Sequence, residues 1–173
     1  MMTARPFDQG RAQGMDVRGF GKGFEDYRIG ERWRTLGRTI TEADFVGFLR
    51  ITGMVGPSFT NHEYRKKHGA NPRPFVPAAL AYTFIEGICF REMEGAGLAF
   101  LKTSFEVKAP CFVGDTIHAE VEVIELRQTS KGDRALMRTE NTVKNQDGRA
   151  VLVYSPLRLM KSRADVAALA RNY

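Results

Sequence analysis

Two acidic side chains and one histidine are, by residue type, the best candidates for proton transfer. His62 and Glu63 follow the segment TGMVGPSFTN, and Glu86 is the single charged residue in the apolar run from Ala79 to Phe90. A carboxylate in apolar surroundings has a raised pKa and can act as a general acid or base. An imidazole can do the same near neutral pH. The sequence therefore offers Glu86, His62 and Glu63 as candidate catalytic residues.

Each of these residues also has a purely structural interpretation. Thr60 and Glu63 have the spacing of a capping box, which would open a short helix. His62 would then be an exposed residue of the first turn, and we favour this interpretation because it explains Thr60 and Glu63 together. Glu86 could pair with Arg91 or face a partner subunit.

The spacing of apolar residues changes near residue 99, from the pattern of helices to that of strands. Thr41 is a good helix N-cap, and Pro77 starts a run that predicts a helix buried on all sides over about residues 77–94. From residue 99 the apolar period becomes two, and the turn signals KGDR and NQDG divide roughly four strands. His118 lies on the polar side of this alternation and is expected to be exposed. One long helix followed by antiparallel hairpins predicts an α+β hotdog fold, in which the sheet wraps around the helix.

The chain has the length of one domain, with 173 residues. Residues 1–23 are rich in Gly and Arg and predict a flexible arm, residues 24–162 a single domain, and residues 163–173 a tail with a short helix. No apolar run approaches the roughly 20 residues of a membrane span, and no signal-peptide core is visible, so we expect a cytoplasmic protein without a membrane partner.

Composition narrows the possible ligands. The net charge is +6, but the basic residues are scattered and no nucleic-acid-binding motif is present, so we expect no nucleic-acid partner. An anionic small molecule fits the same charge at least as well. Cys89 and Cys111 lie far apart without a CxxC partner, and no cluster of His, Cys, Asp and Glu has metal-ligand spacing, so we expect no metal.

Two blocks of the sequence resemble the MaoC-like dehydratases and (R)-specific enoyl-CoA hydratases. GRTITEADFVGFLRITG is similar to the opening helix of that family, and VGDTIHAEVEVIELRQTSKGDRALMRTENTVKNQDGRAVL is similar to its long hairpin. The resemblance runs from about Tyr27 to Met160. It implies a hotdog fold and the hydration or dehydration of acyl thioesters of coenzyme A or acyl carrier protein. An Asp and a His five residues downstream would activate one water. It implies no cofactor, with coenzyme A present only as part of the substrate.

The sequence departs from the family at the positions that carry this chemistry. Aligned on Thr52-Gly53 and Pro57, Met54 occupies the Asp position, Gly56 the Asn position and Phe59 the His position. Neither a thioether nor a phenyl ring can transfer a proton. The resemblance therefore implies the fold, whereas the proton-transfer pair is absent at the aligned positions.

The resemblance also implies where a thioester would bind. The expected substrate-binding residues are Met54, Gly56, Ser58, Phe59, Asn61, Pro77, Ala78 and Ala79. Backbone N–H groups at the start of the long helix could polarise the thioester carbonyl. The candidates for binding the phosphates of coenzyme A are Arg65, Lys66, Lys67 and Arg73. A solvated helix face explains this basic cluster equally well.

Three functions are compatible with these residues. The first is an acyl-thioester hydratase or dehydratase with a variant site that uses Glu86, His62 or Glu63. The second is a non-catalytic hotdog subunit that binds the acyl chain and supports an active partner, as Met54 and Phe59 suggest. The third is a hotdog acyl-CoA thioesterase, which only Glu86 favours. Small hotdog domains pair edge to edge, so we expect a homodimer or a heterodimer with another hotdog chain.

Overall fold

The computed structural model describes residues 19–69 and 71–172. Most of the predicted N-terminal arm, residues 1–18, lies outside the described residues. Its remaining part runs along the body of the protein: the N–H of Gly21 donates to the carbonyl of Glu94 at 2.6 Å, and that of Lys22 to the carbonyl of Glu92 at 3.1 Å. None of the helices in the described ranges has the length and apolarity that a membrane crossing requires.

An antiparallel sheet follows the central helix in the chain, which confirms the predicted hotdog architecture. In the described ranges its strands are β1 (Arg32–Arg34), β2 (Arg38–Thr39), β3 (Gly97–Val107), β4 (Thr116–Gln128), β5 (Arg134–Lys144) and β6 (Ala150–Lys161). The order across the sheet is β1-β4-β5-β6-β3, and β2 also pairs with β4. The four long strands are the predicted ones, and the two short strands extend the sheet beyond β4.

The described helices are α1 (Glu42–Thr52), α2 (Pro57–Thr60), α3 (His62–His68), α4 (Ala78–Phe90) and α5 (Arg163–Asn172). A 3-10 turn over Arg91–Met93 continues α4, so together they match the helix predicted over about residues 77–94. Thr41 caps α1 as expected: its hydroxyl accepts from the N–H of Asp44 at 3.2 Å, and the Asp44 carboxylate accepts from the N–H of Thr41 at 2.9 Å.

Helix α4 is buried on one side only. Leu80, Ile85 and Cys89 belong to the main core cluster together with inward-facing residues of β4 and β6. On the opposite side, Ala79, Thr83, Gly87 and Phe90 are exposed. The expectation that this helix is buried all round was wrong, because the sheet of a single chain covers only part of its circumference.

The start of α3 differs from the predicted capping box. The N-cap is Asn61, whose side-chain oxygen accepts from the N–H of Tyr64 at 2.9 Å. Thr60 is instead the last residue of α2, which Pro57 opens. The prediction was wrong because the sequence pattern did not reveal this separate helical turn, which moves the cap by one residue.

His118 is buried, although the alternation of β4 predicted that it is exposed. The segment joining β1 to β2 runs alongside β4 and shields this position: the N–H of Thr35 donates to the carbonyl of Ala119 at 2.9 Å. Nη2 of Arg34 lies 3.4 Å from Nδ1 of His118. Burial lowers the pKa of His118. The positive charges of Arg34 and Lys144 lower this pKa further, and the negative charge of Glu120 opposes the shift.

This lowered pKa predicts a specific loss of stability in mild acid. An unfolded histidine takes up its proton near about pH 6.5, whereas folded His118 does so only at lower pH. Its contribution to the free energy of unfolding is therefore present above about pH 6.5 and is lost as the pH falls through this range. Urea unfolding between about pH 7.5 and 5 should show a weaker pH dependence for His118→Gln than for the wild type. The exposed control His62→Gln should retain the wild-type dependence, and equal slopes for wild type and His118→Gln would contradict the prediction.

Candidate functional site

Met54 and Phe59 lie against the main core cluster, on either side of the turn that Pro57 makes. Both are half-buried. The ring of Phe59 is 4.9 Å from that of Phe75 and 6.4 Å from that of Phe45, measured between centroids. Gly53 ends α1 with a φ of 69°, a left-handed conformation that suits glycine. The frame of the turn is thus intact, and its interior is apolar.

The start of α4 faces the same region. The N–H of Val76 donates to the carbonyl of Cys111 at 2.7 Å, and the N–H of Val113 donates to the carbonyl of Pro74 at 3.1 Å, which fixes the approach to the helix. Pro77 is buried, Ala78 half-buried and Ala79 exposed. The first N–H groups of a helix have no intrahelical acceptor, so those of Ala78 and Ala79 can donate to a ligand.

Glu86 forms an ion pair with Arg158 of β6 rather than with Arg91. Nη2 of Arg158 donates to both carboxylate oxygens, at 2.7 and 2.5 Å. The Arg158 side chain is 6% exposed and that of Glu86 is 20% exposed. The Arg158 guanidinium also lies over the ring of Phe100, 5.2 Å from its centroid. Both carboxylate oxygens therefore already accept from Arg158, and each keeps a further lone pair.

Two further protic groups lie beside this ion pair. The hydroxyl of Tyr154 contacts Sγ of Cys89 at 3.9 Å. Burial raises the pKa of Cys89 to about 11 and also raises the pKa of Tyr154. Both groups are therefore protonated at neutral pH, and Cys89 is a small buried side chain.

The remaining candidate acid–base groups are on the surface. His62 is exposed in the first turn of α3. Glu63 is also exposed, and its carboxylate pairs with Lys66 at 3.0 Å. Solvent screens an exposed pair of this kind, so it holds either side chain only weakly. Ser58 is half-buried in α2, while Gly56 and Asn61 are exposed.

The residues of the predicted phosphate-binding cluster differ in burial and in their partners. Lys66 and Lys67 are exposed on α3, but Arg65 is buried. Arg73 donates to the buried carboxylate of Asp115 at 3.2 Å. Burial raises the pKa of Asp115, but hydrogen bonds from the N–H of Phe112, from Gln146 and from Arg73 outweigh it and hold that pKa below its usual range. The Arg73 guanidinium is therefore already paired with a buried carboxylate.

Comparisons with known proteins agree with this geometry. Residues 28–153 match a family described as the FAS1-like, dehydratase domain region. An (R)-specific enoyl-CoA hydratase from Aeromonas caviae is 39% identical over 104 residues, which cover 60% of this chain and 76% of that protein. The chain belongs to the MaoC-like dehydratase family.

Two solved structures share the fold of this chain. A monoamine oxidase regulatory protein from Archaeoglobus superimposes with a TM-score of 0.72 at 28% identity, over 82% of this chain and 95% of that one. A conserved hypothetical protein from Mycobacterium tuberculosis with a double hotdog fold gives a TM-score of 0.76 at 19% identity, over 84% of this chain and 46% of that one. The second similarity supports the hotdog fold of this MaoC-like chain.

Sequence reasoning missed Arg158 in this MaoC-like protein. In β6, Tyr154, Pro156, Arg158 and Met160 share the inward register, so the alternation itself places a guanidinium inside the hotdog. That signal was available in the stretch YSPLRLM. The partner of Arg158 was not, because Glu86 lies 72 positions earlier on α4. In the described ranges, no group of three or more His, Cys, Asp or Glu side chains could hold a metal ion.

The Glu86–Arg158 pair gives a prediction about stability. Arg158→Met leaves the Glu86 carboxylate facing the interior without its cation, which should lower the free energy of unfolding by about 2–4 kcal/mol. The double variant Glu86→Met/Arg158→Met removes both charges and should recover most of this loss. Urea unfolding of the wild type, both single variants and the double variant would measure the coupling. Costs that simply add in the double variant would show that the two side chains do not stabilise one another.

Proposed function

We propose that this MaoC-like protein acts in the hydration or dehydration of acyl-CoA thioesters, as the chain that binds the acyl group. A second hotdog chain supplies the proton-transfer groups. The observation that carries the proposal is the apolar turn, in which Met54 and Phe59 pack against the core. In the alignment on Thr52-Gly53 and Pro57, these two residues correspond to the family's Asp and His. An apolar turn favours an acyl chain and cannot activate water.

The family relationship supports the substrate class. The Aeromonas caviae relative is named an (R)-specific enoyl-CoA hydratase. The N–H groups of Ala78 and Ala79 suit the thioester carbonyl, since helix N-termini stabilise developing negative charge. The exposed Lys66 and Lys67 would attract the phosphates of coenzyme A or the surface of an acyl carrier protein by long-range charge. We place this function in the cytoplasm.

A hydratase that works without a second chain is the other candidate, and the partial exposure of Glu86 favours it. Nη2 of Arg158 already donates to both oxygens of this carboxylate. A thioesterase that uses Glu86 to activate water would depend on the same ion-paired carboxylate. We therefore assign the ion pair to the support of α4.

The free edge of the sheet supports the proposal that a second chain binds. β3 ends the sheet and pairs only with β6 among the described strands. Its apolar side chains Leu101, Phe105 and Val107 are about half exposed. A long, apolar edge strand invites another strand to pair with it. The partner would also cover the exposed side of α4.

Hydration of crotonyl-CoA tests the proposed division of labour. We expect the wild-type chain alone to bind this thioester without measurable turnover. Met54→Asp/Phe59→His introduces the family pair and should raise the hydration rate at least about 100-fold above the uncatalysed rate. The matched control Met54→Asn/Phe59→Gln changes polarity without adding a proton-transfer pair and should stay inactive. Turnover by the wild-type chain that disappears in Glu86→Gln would instead establish the self-sufficient site.

The oligomeric state tests whether the edge strand β3 forms an interface. In the absence of another chain, the wild type should form a dimer through β3 in light scattering coupled to size exclusion. Leu101→Lys/Val107→Lys places two charges on the edge and should shift the protein to a monomer at the same concentration. Ile29→Lys, at an exposed apolar residue away from this edge, is the control. A dimer that persists unchanged in the double variant would exclude β3 as the interface.

A further inference from the structure

Arg65 is a buried cation whose described partners include no carboxylate. It is 8% exposed. Its Nη1 donates to the carbonyl of Phe59 at 2.9 Å and, at a longer 3.5 Å, to the carbonyl of Ser58. Its Nη2 lies 3.5 Å from Nδ1 of His62. A buried guanidinium without an anion carries a large desolvation cost, so an oxyanion at this position would be strongly stabilised.

Two donors on one edge of this guanidinium lack a strong hydrogen bond. Nε is buried and has no hydrogen-bond partner in the described part of the chain. Nη2, on the same edge, has only the long contact to His62. The Nε–Nη2 edge of arginine binds a carboxylate through two parallel hydrogen bonds. The carbonyl contacts of Nη1 hold the side chain with that edge unsatisfied.

Arg65 lines a cavity of about 460 Å³. Its walls include Tyr64, His68, Phe75 and Phe112, and no Asp or Glu is among the described residues that line it. The cavity adjoins the apolar turn, because the ring of Phe75 also contacts that of Phe59. An acyl chain lying along Phe59 could therefore extend between the aromatic walls to Arg65.

We infer that this cavity is a subsite for the far end of the acyl group, and that Arg65 binds a carboxylate there. The preferred thioesters are then coenzyme A monothioesters of dicarboxylic acids. The inference rests on the proposed function and names its substrate class. A phosphate of coenzyme A is the other oxyanion within reach. The exposed Lys66 and Lys67 suit that hydrated group better than the single buried guanidinium of Arg65 does.

Calorimetric titration with two matched thioesters tests this assignment. Glutaconyl-CoA and crotonyl-CoA share the 2-enoyl thioester and differ by a terminal carboxylate. We expect the wild type to bind glutaconyl-CoA at least about 10-fold more tightly, the effect of a charge-assisted hydrogen bond to a buried partner. Arg65→Met should abolish this preference while changing the crotonyl-CoA affinity by less than about 3-fold. Lys131→Met removes an exposed cation from the turn between β4 and β5, away from the cavity, and should keep the preference.

The outcomes separate this inference from the proposed function. If the wild type binds crotonyl-CoA but shows no preference for glutaconyl-CoA, the carboxylate subsite is wrong and the proposed function stands. If neither thioester binds, both are wrong. If Arg65→Met weakens both equally and leaves crotonyl-pantetheine unaffected, Arg65 binds a phosphate. Should Arg65→Met fail to fold, Arg65→Lys keeps the charge without the fork, and a reduced preference in it supports the assignment.

Discussion

The burial of one apolar helix against one curved sheet is the constraint on which the rest of the structure depends. Helix α4 covers the inner face of the sheet with residues such as Leu80 and Ile85, and this contact forms the main core. Backbone hydrogen bonds from Val76 and Val113 fix the approach to the helix. The apolar turn and the cavity beside Arg65 therefore lie at the N-terminal end of α4. The uncovered side of the helix and the free edge of β3 follow from the same geometry, because one sheet cannot enclose a helix.

The turn between α1 and α3 accommodates apolar side chains because its shape depends on other residues. The left-handed Gly53, the turn at Pro57 and the side-chain cap of Asn61 do not involve the side chains of Met54 and Phe59. Met54 and Phe59 can thus pack against the core without disturbing the turn. The result is an apolar surface close to the first N–H groups of α4, which suits the proposed binding of an acyl group.

Two arginines show how differently a buried cation can be used in this fold. Arg158 meets the carboxylate of Glu86, so its charge is balanced inside the protein. Arg65 meets only backbone carbonyls and an imidazole among its described partners, and it lines a cavity that a ligand can enter. The first arrangement stabilises the hotdog, and the second leaves an anion-binding capacity that the protein itself does not satisfy.

The sequence alone determined α1, α4 and the four long strands, since helical and strand periodicities and the Thr41 cap are local properties. It did not reveal α2, and it placed the cap of α3 one residue too early. With the family resemblance it also determined the hotdog fold and the apolar character of the turn. Tertiary structure decided which charges meet and which side chains are buried. Arg158 pairs with a residue 72 positions away, His118 is shielded by the segment before α1, and Arg65 turns inward from a helix whose neighbours Lys66 and Lys67 are exposed. Periodicity specifies the faces of an element, but burial and ion pairing depend on how distant elements pack together.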